Sequence, residues 1–511
     1  MKTLLLPAVM QLLLSVEGAS ILAVETVGSR SHWQFMRSIL DVLATRHQVT
    51  VITPLPSSDR ENYTEIDSSP VFPVYSDQDA VLQIERFGSV VNMLPPMPKR
   101  SHERDICDAA FEFGPIRELL AAGRGHYDLI VLEPFYSPCL SYLAHRLGVP
   151  EIYVIPSPMI TPMEAPVFGT GPNPAYVPNL LYGGDAALDD FAQRLANFVL
   201  STYVKVVPWL TDARMANAEP KPYDVDDVRH KPSLLFANTR HITEPPRPFH
   251  VNMIQIGGIH LKTTELLPPD ILEFIEDSQH GVIYFSFGSV VTLSTLTREM
   301  QRAFRNALSR VPQRVLWKYE TEMEEKPDNV MTKKWFPQRD ILLHPNVKMF
   351  ISHGGISGLY EAVDAGVPML AFPLYYDQPR NVANLVKAGM AISMDLLTVT
   401  EDTLLTAIDD LVNNETYVQN AKIASKRLKD RPMSPSEMVI YWTEYVLRHN
   451  GAFHLHSKAL DLSWYQHLLL DVIACVLVAV FIVTYLFYAI LHAFLHVAKS
   501  RRAKSKGIKS S

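Results

Sequence analysis

Short apolar runs bounded by small or polar residues recur along this chain, with helix-spaced stretches between them. ILAVETV at 21–27 is followed by Gly28-Ser29-Arg30-Ser31-His32, helical spacing from Trp33 to about Thr45, and VTVIT at 49–53, which predicts a βαβ opening. YDLIVLE at 127–133, EIYVI at 151–155 and SLLFANT at 233–239 extend the series. The second half repeats the alternation with VIYFSFGS at 282–289, VLWKYE at 315–320, VKMFIS at 347–352 and MLAFPLY at 369–375. A helical stretch at 357–365 and a late one at 436–450 accompany them. Runs that are apolar at nearly every position fit strands buried on both faces of a parallel sheet. The expected class is therefore α/β, with two Rossmann-like doubly wound domains. Ligands of such sheets sit outside the carboxyl ends of the strands, and His32 and Glu133 both fall there.

Proline-rich TEPPRPFH at 243–250 is a stiff link, and the domain boundary is expected at it. The reading assigns 21–242 to the first domain, 243–280 to the linker and entry to the second, and 281–450 to the second domain with a helix returning across the first. Two irregular, apolar, proline-rich segments, 70–98 and 156–178, are expected to wall a pocket, with Met159, Phe168 and Tyr176 as candidate lining.

Both ends change the picture. Lys2 and the apolar run after it, ending in small residues at 18–20, read as a signal peptide over 1–20. After a juxtamembrane stretch at 451–471, residues 472–491 carry no charge and are long enough to span a bilayer at about 1.5 Å per residue. The basic tail at 492–511 would then be cytosolic and the rest lumenal. Taking the six lysines and arginines at 499–509 from a net charge of −7 leaves −13, which disfavours a nucleic-acid partner. Of the three cysteines, Cys475 falls in the span, so one lumenal pair, Cys107 with Cys139, is available and no zinc-spaced cluster occurs. Asn62 and Asn414 begin glycosylation sequons. Lys509 sits three from the end, where a retrieval signal and a plain membrane-flanking tail read alike.

The densest chemistry lies at 335–378, WFPQRDILLHPNVKMFISHGGISGLYEAVDAGVPMLAFPLYYDQ. Here a buried-type strand leads through His353-Gly354-Gly355 into a helix start, where unpaired N–H groups and the positive end of the helix dipole meet an anion. The length of this stretch, its W-x-P-Q and D-Q ends and the central H-G-G-x-x-G-x-Y-E resemble the donor-binding signature of the UDP-glycosyltransferases, membrane-bound animal members above all. The likeness extends over most of the chain.

The resemblance implies the two-domain GT-B fold plus one C-terminal transmembrane helix, and inverting transfer from a UDP-sugar to a hydroxyl. Trp335 would stack on uracil, Gln338 bind its edge and Glu361 take the ribose hydroxyls. Ser289, His353, Gly354 and Gly355 would hold the diphosphate, and Asp377 with Gln378 the sugar hydroxyls. Ser357 stands where many relatives have Asn, and Glu133 where many have Asp. His32, with an ordinary pKa near ~6.5, suits a general base, and Glu133 would hold its second nitrogen. No metal or cofactor is expected, since a helix terminus and an imidazole can meet the charge on departing UDP. The expected protein is a single-span endoplasmic reticulum enzyme that glucosylates small lipophilic acceptors, as a monomer or an oligomer. Its rivals are a ceramide-type galactosyltransferase and a non-catalytic nucleotide-sugar-binding protein. An NAD enzyme is disfavoured because the first strand lacks G-x-G-x-x-G.

Overall fold

Every strand of the two main sheets runs parallel to its neighbours, as the unbroken apolar runs require. The computed structural model describes residues 18–72, 74–75, 78–79, 102–180, 188–224, 231–289 and 291–508. Most of the expected signal peptide, much of the 70–98 segment and Lys509 lie outside these. The described chain divides into two units: Met1–Val167 with Gly171–His456, which carries both sheets, and Phe168–Thr170 with Ser457–Ser511.

The first sheet contains β1 (Ser20–Val24), β2 (Gln48–Thr53), β3 (Tyr63–Asp67), β4 (Leu129–Leu132), β5 (Glu151–Ile155), β6 (Leu234–Ala237) and β7 (Met253–Gln255). Their spatial order is β7-β6-β5-β4-β1-β2-β3. The second contains β8 (Val282–Ser286), β9 (Arg314–Lys318), β10 (Val330–Lys333), β11 (Val347–Ser352), β12 (Met369–Ala371) and β13 (Ala391–Ser393), in the order β10-β9-β8-β11-β12-β13. Both orders reverse once, at β1/β4 and at β8/β11, and a crevice opens where connections leave to opposite sides. Strand β7 falls inside 243–280, the span read as linker, because the chain adds one more edge strand beside β6 after the proline-rich link.

Side chains of β8 alternate between two cores. Val282 and Tyr284 pack in one, Ile283 and Phe285 in the other, so the sheet is covered on both faces. The helices that position functional groups are α1 (Arg30–Leu43), α2 (Ile356–Ala365), α3 (Gln378–Lys387) and α4 (Pro435–Arg448). Helix α4 starts at a capping box in which Ser434 Oγ accepts from the Glu437 N–H and the Glu437 carboxylate accepts from the Ser434 N–H. It buries Val439 and Val446 in the first domain's core with Phe35 and Ile39 of α1, each worth about 1.5–3 kcal/mol. In the second unit α5 (Leu470–Ile508) contains an apolar stretch, Leu470–Ser500, long enough to cross a membrane, which includes the expected 472–491. Cys107 and Cys139 form a disulfide.

Candidate active site

The residues that follow β1 and β4 meet across the switch point of the first sheet. His32, in the first turn of α1, points Nδ1 at Glu133 Oε1, 2.5 Å away. Glu133 is fully buried, while the His32 side chain is 26% exposed, so the imidazole presents its other nitrogen outward. Burial opposes a charge on His32, but the Glu133 carboxylate, through its charge and its hydrogen bond, and then Asp377 hold the His32 pKa above its ordinary value. The ring of Phe135 lies beside the imidazole, with centroids 6.0 Å apart. Behind the pair, Thr26 and Ser137 hydroxyls bond at 2.8 Å, and Ser137 donates to the Glu133 carbonyl, tying the two strand ends together.

Across the switch point of the second sheet, β11 runs into Gly354 (φ 78°) and Gly355, which caps α2. A Cβ at Gly288 would lie 2.8 Å from His353 Cε1, and one at Gly355 2.5 Å from His353 Nε2. The imidazole is thus clasped between two stretches of backbone that only glycine brings so close. Burial, then the charge of Lys318, lower the His353 pKa to about 4, so this ring is neutral at physiological pH. The first turn of α2 contains no acid, leaving the helix dipole unopposed at its start. Ser289 is half-buried in the turn after β8.

Glu361, on the next turn of α2, accepts a hydrogen bond from the Gln338 amide. Burial pushes its pKa up to about 7, against the pull of Gln338. Trp335 is 64% exposed, an indole without a core role. Asp377 stands at the N-cap of α3, but its side chain caps nothing; Oδ2 accepts instead from Asn381 Nδ2 at 2.7 Å. Asn381 also donates to the Gly354 carbonyl, joining Asp377 to the glycine turn. The i, i+4 spacing of Asp377 and Asn381 is the signal that would have found this residue. Gln378 spends its oxygen on the Leu374 and Tyr375 N–H groups, so only its amide nitrogen remains for a ligand. Burial raises the Asp377 pKa, while the Asn381 hydrogen bond and the charge of His32 pull it down. The expected site residues therefore gather at two facing edges.

A family model described as "UDP-glucoronosyl and UDP-glucosyl transferase" matches residues 21–504. The chain belongs to this UDP-glycosyltransferase family. It is 36% identical over 517 residues to UDP-glucosyltransferase 2 of Dactylopius coccus, covering 98% of this chain and 99% of that one. It is 31% identical to UDP-glucuronosyltransferase 2C1 of Oryctolagus cuniculus, over 89% and 94% of the two chains. Among solved structures, a glycotransferase of kitacinnamycin matches with TM-score 0.54 and 18% identity, over 84% of this chain and 99% of that one. LpCGTa in complex with UDP gives TM-score 0.54 and 16% identity over the same shares. The fold is GT-B. The protein is a glycosyltransferase that takes its sugar from a UDP-sugar.

In this UDP-glycosyltransferase Met159 is fully buried, Tyr176 is 54% exposed, and Phe168 belongs to the second unit. Of the sequons, Asn62 is half-buried and bonded through its side chain to Gln48 and Ala44, whereas exposed Asn414 caps the helix Glu415–Lys429.

Proposed function

We propose that the enzyme transfers glucose from UDP-glucose to a hydroxyl of a small lipophilic acceptor, with inversion at the anomeric carbon. The observation that carries this reading is the His32–Glu133 pair facing the glycine turn, with Asp377 close enough to act on His32 electrostatically. Because Nδ1–H is engaged with Glu133, His32 Nε2 is the nitrogen left to take the acceptor proton. As the O–H breaks, the acceptor oxygen bonds to the anomeric carbon. The bond from that carbon to the β-phosphate oxygen breaks, and UDP leaves with the electron pair. The Gly355 N–H, the start of α2 and neutral His353 are the donors available to the diphosphate, with Ser289 beside them, while the Gly354 N–H is held by the Ser352 hydroxyl. Exposed Trp335 suits stacking on uracil and Glu361 suits a ribose diol. Asp377 and the Gln378 amide are the groups for sugar hydroxyls. No metal has a step in this scheme. The glucose preference follows the Dactylopius coccus relative, and the membrane helix suits an enzyme anchored in the endoplasmic reticulum with its sheets lumenal.

The test offers UDP-glucose, UDP-galactose and UDP-glucuronic acid, each with a pool of phenols, flavonoids, steroids and ceramide, to the membrane-embedded protein. The expected product is a glucoside of a phenol, flavonoid or steroid. A glucuronide or a galactosylceramide instead would overturn the donor and acceptor assignments, and no transfer despite UDP binding would make the chain a non-catalytic binder.

A pH dependence arises from Glu361. Ionised above about 7, it accepts from both ribose hydroxyls; protonated below that value, it has fewer acceptor sites to offer. Uridine, which has no phosphate to titrate, should bind severalfold more weakly at about pH 6 than at about pH 8 in calorimetry. Glu361→Gln should flatten that dependence. A wild-type affinity that does not change with pH would remove Glu361 from the ribose.

A further inference from the structure

The mechanism above leaves unused a buried carboxyl beside the pair, that of Glu25. Glu25 is the residue after β1 and Glu133 the residue after β4, and these strands are neighbours in parallel register with Val24 opposite Leu132. The Glu133 N–H reaches the Val24 carbonyl at 3.4 Å, so the sheet edge sets two glutamates side by side. Both are fully buried. Neither oxygen of Glu25 has a hydrogen-bond partner and neither does Glu133 Oε2, whereas Glu133 Oε1 is taken by His32. Burial, and then the charge of Glu133, push the Glu25 carboxyl well above the usual range; the Val27 amide and the Thr53 hydroxyl lie near enough to pull the other way but do not reach hydrogen-bond geometry. Two adjacent carboxylates buried without a second cation are strongly unfavourable, and one proton between them relieves both the repulsion and the unpaired oxygens.

We propose that Glu25 is a positioning residue for the catalytic pair: its carboxyl O–H donates to Glu133 Oε2, the two carboxyl groups share one negative charge, and Oε1 is kept for the imidazole. This rests on the reading of His32 as the base. The charged and titratable groups around the pair are few. Glu25 faces Glu133, with the Thr53 hydroxyl from β2; His32 faces Glu133 and Asp377; Asp377 in turn feels Arg380. During turnover the Glu25 proton stays in place, and the imidazolium formed when His32 takes the acceptor proton is met by the shared charge.

The test compares Glu25→Gln and Glu25→Leu in the full-length, membrane-embedded enzyme, reading the pH profile of kcat/KM with UDP affinity as the measure of folded sites. Glutamine keeps a donor for Glu133 and cannot ionise, so its rate should stay within about threefold of wild type and its ascending limb should not move. Leucine removes the donor and leaves Glu133 more basic toward His32. Its rate should fall about tenfold or more, with the limb moved up by about half a pH unit. A downward limb in Glu25→Gln would mean that Glu25 is charged and would overturn the proposal. So would an unchanged Leu variant, or equal losses in both variants with unmoved limbs, which is the pattern of a purely structural residue. If the Leu variant does not fold, the Gln profile alone still decides whether Glu25 is neutral or charged. His32→Ala runs beside them: turnover that survives it removes the base itself, an outcome separate from any result at Glu25.

Discussion

His32→Ala should lower kcat by about 10²–10⁴-fold while leaving the affinity for UDP unchanged. The size follows from what is lost, since among the described residues no other side chain is placed by Glu133 to take the acceptor proton. The preserved affinity follows because the groups proposed for UDP, Ser289, Trp335, Gln338, the 353–355 turn and Glu361, all lie around the second sheet and not on the edge that carries His32. Single-turnover transfer measured beside calorimetric UDP binding separates the two effects. Unchanged turnover would remove His32 as the base, and lost UDP binding would show that the substitution had disturbed the facing edge. The raised His32 pKa gives a further sign. Above its ordinary value the ring is protonated over a wider range, so transfer in the wild type should rise with pH through a limb lying above ~6.5.

Arg247→Ala should destabilise the unit that carries both sheets by about 3–5 kcal/mol, the cost of stranding buried charges. Arg247 holds Glu164 through two hydrogen bonds, at 2.7 and 2.8 Å, and Glu244 through a third at 2.7 Å. Glu244 also accepts from Arg380 of α3. All four side chains are nearly inaccessible to solvent. The network links the helix Thr161–Phe168 of the first domain, the proline-rich link and the helix that begins at Asp377 and Gln378. Removing Arg247 should therefore lower both the thermal midpoint and the affinity for a UDP-sugar. Arg46→Ala, which breaks an exposed pair with Glu444, is the control and should cost less than about 1 kcal/mol. Equal thermal shifts in the two variants would refute the argument.

What the sequence makes legible follows from burial. Strands β1, β4, β5, β6, β8 and β11 are covered on both faces and read as apolar runs. Strands β3, β10 and β13 lie at or near sheet edges and are only partly covered. YTEID and VMTK therefore carry no such run, and the sequence reading gives no element there. The helix Phe191–Ala218 escapes for a related reason. Phe191, Phe198 and Trp209 are exposed and Pro208 lies within it, so its apolar positions do not trace a core.

The candidate edges are legible because each group comes soon after an apolar run, where a parallel sheet delivers the chain to the carboxyl end of the strand. His32, Glu133, His353 and Asp377 all have this placement. Glu25 does as well, but inside ILAVETV it passes for part of the strand, and only the register of β1 against β4 sets it beside Glu133. The four-charge network could not be read at all. Arg247 and Glu164 are 83 positions apart, and Arg380 and Glu244 are 136 apart, with no periodicity joining them.

The central claim is that the two facing edges carry out a single in-line displacement, with His32 on one side of the anomeric carbon and the glycine turn on the other. Nuclear magnetic resonance of the first-formed product from UDP-α-glucose tests it most directly. The account predicts the β-glucoside alone, formed in the wild type and lost in His32→Ala. An α-glucoside, or a mixture of anomers formed at the same rate without His32, would contradict it.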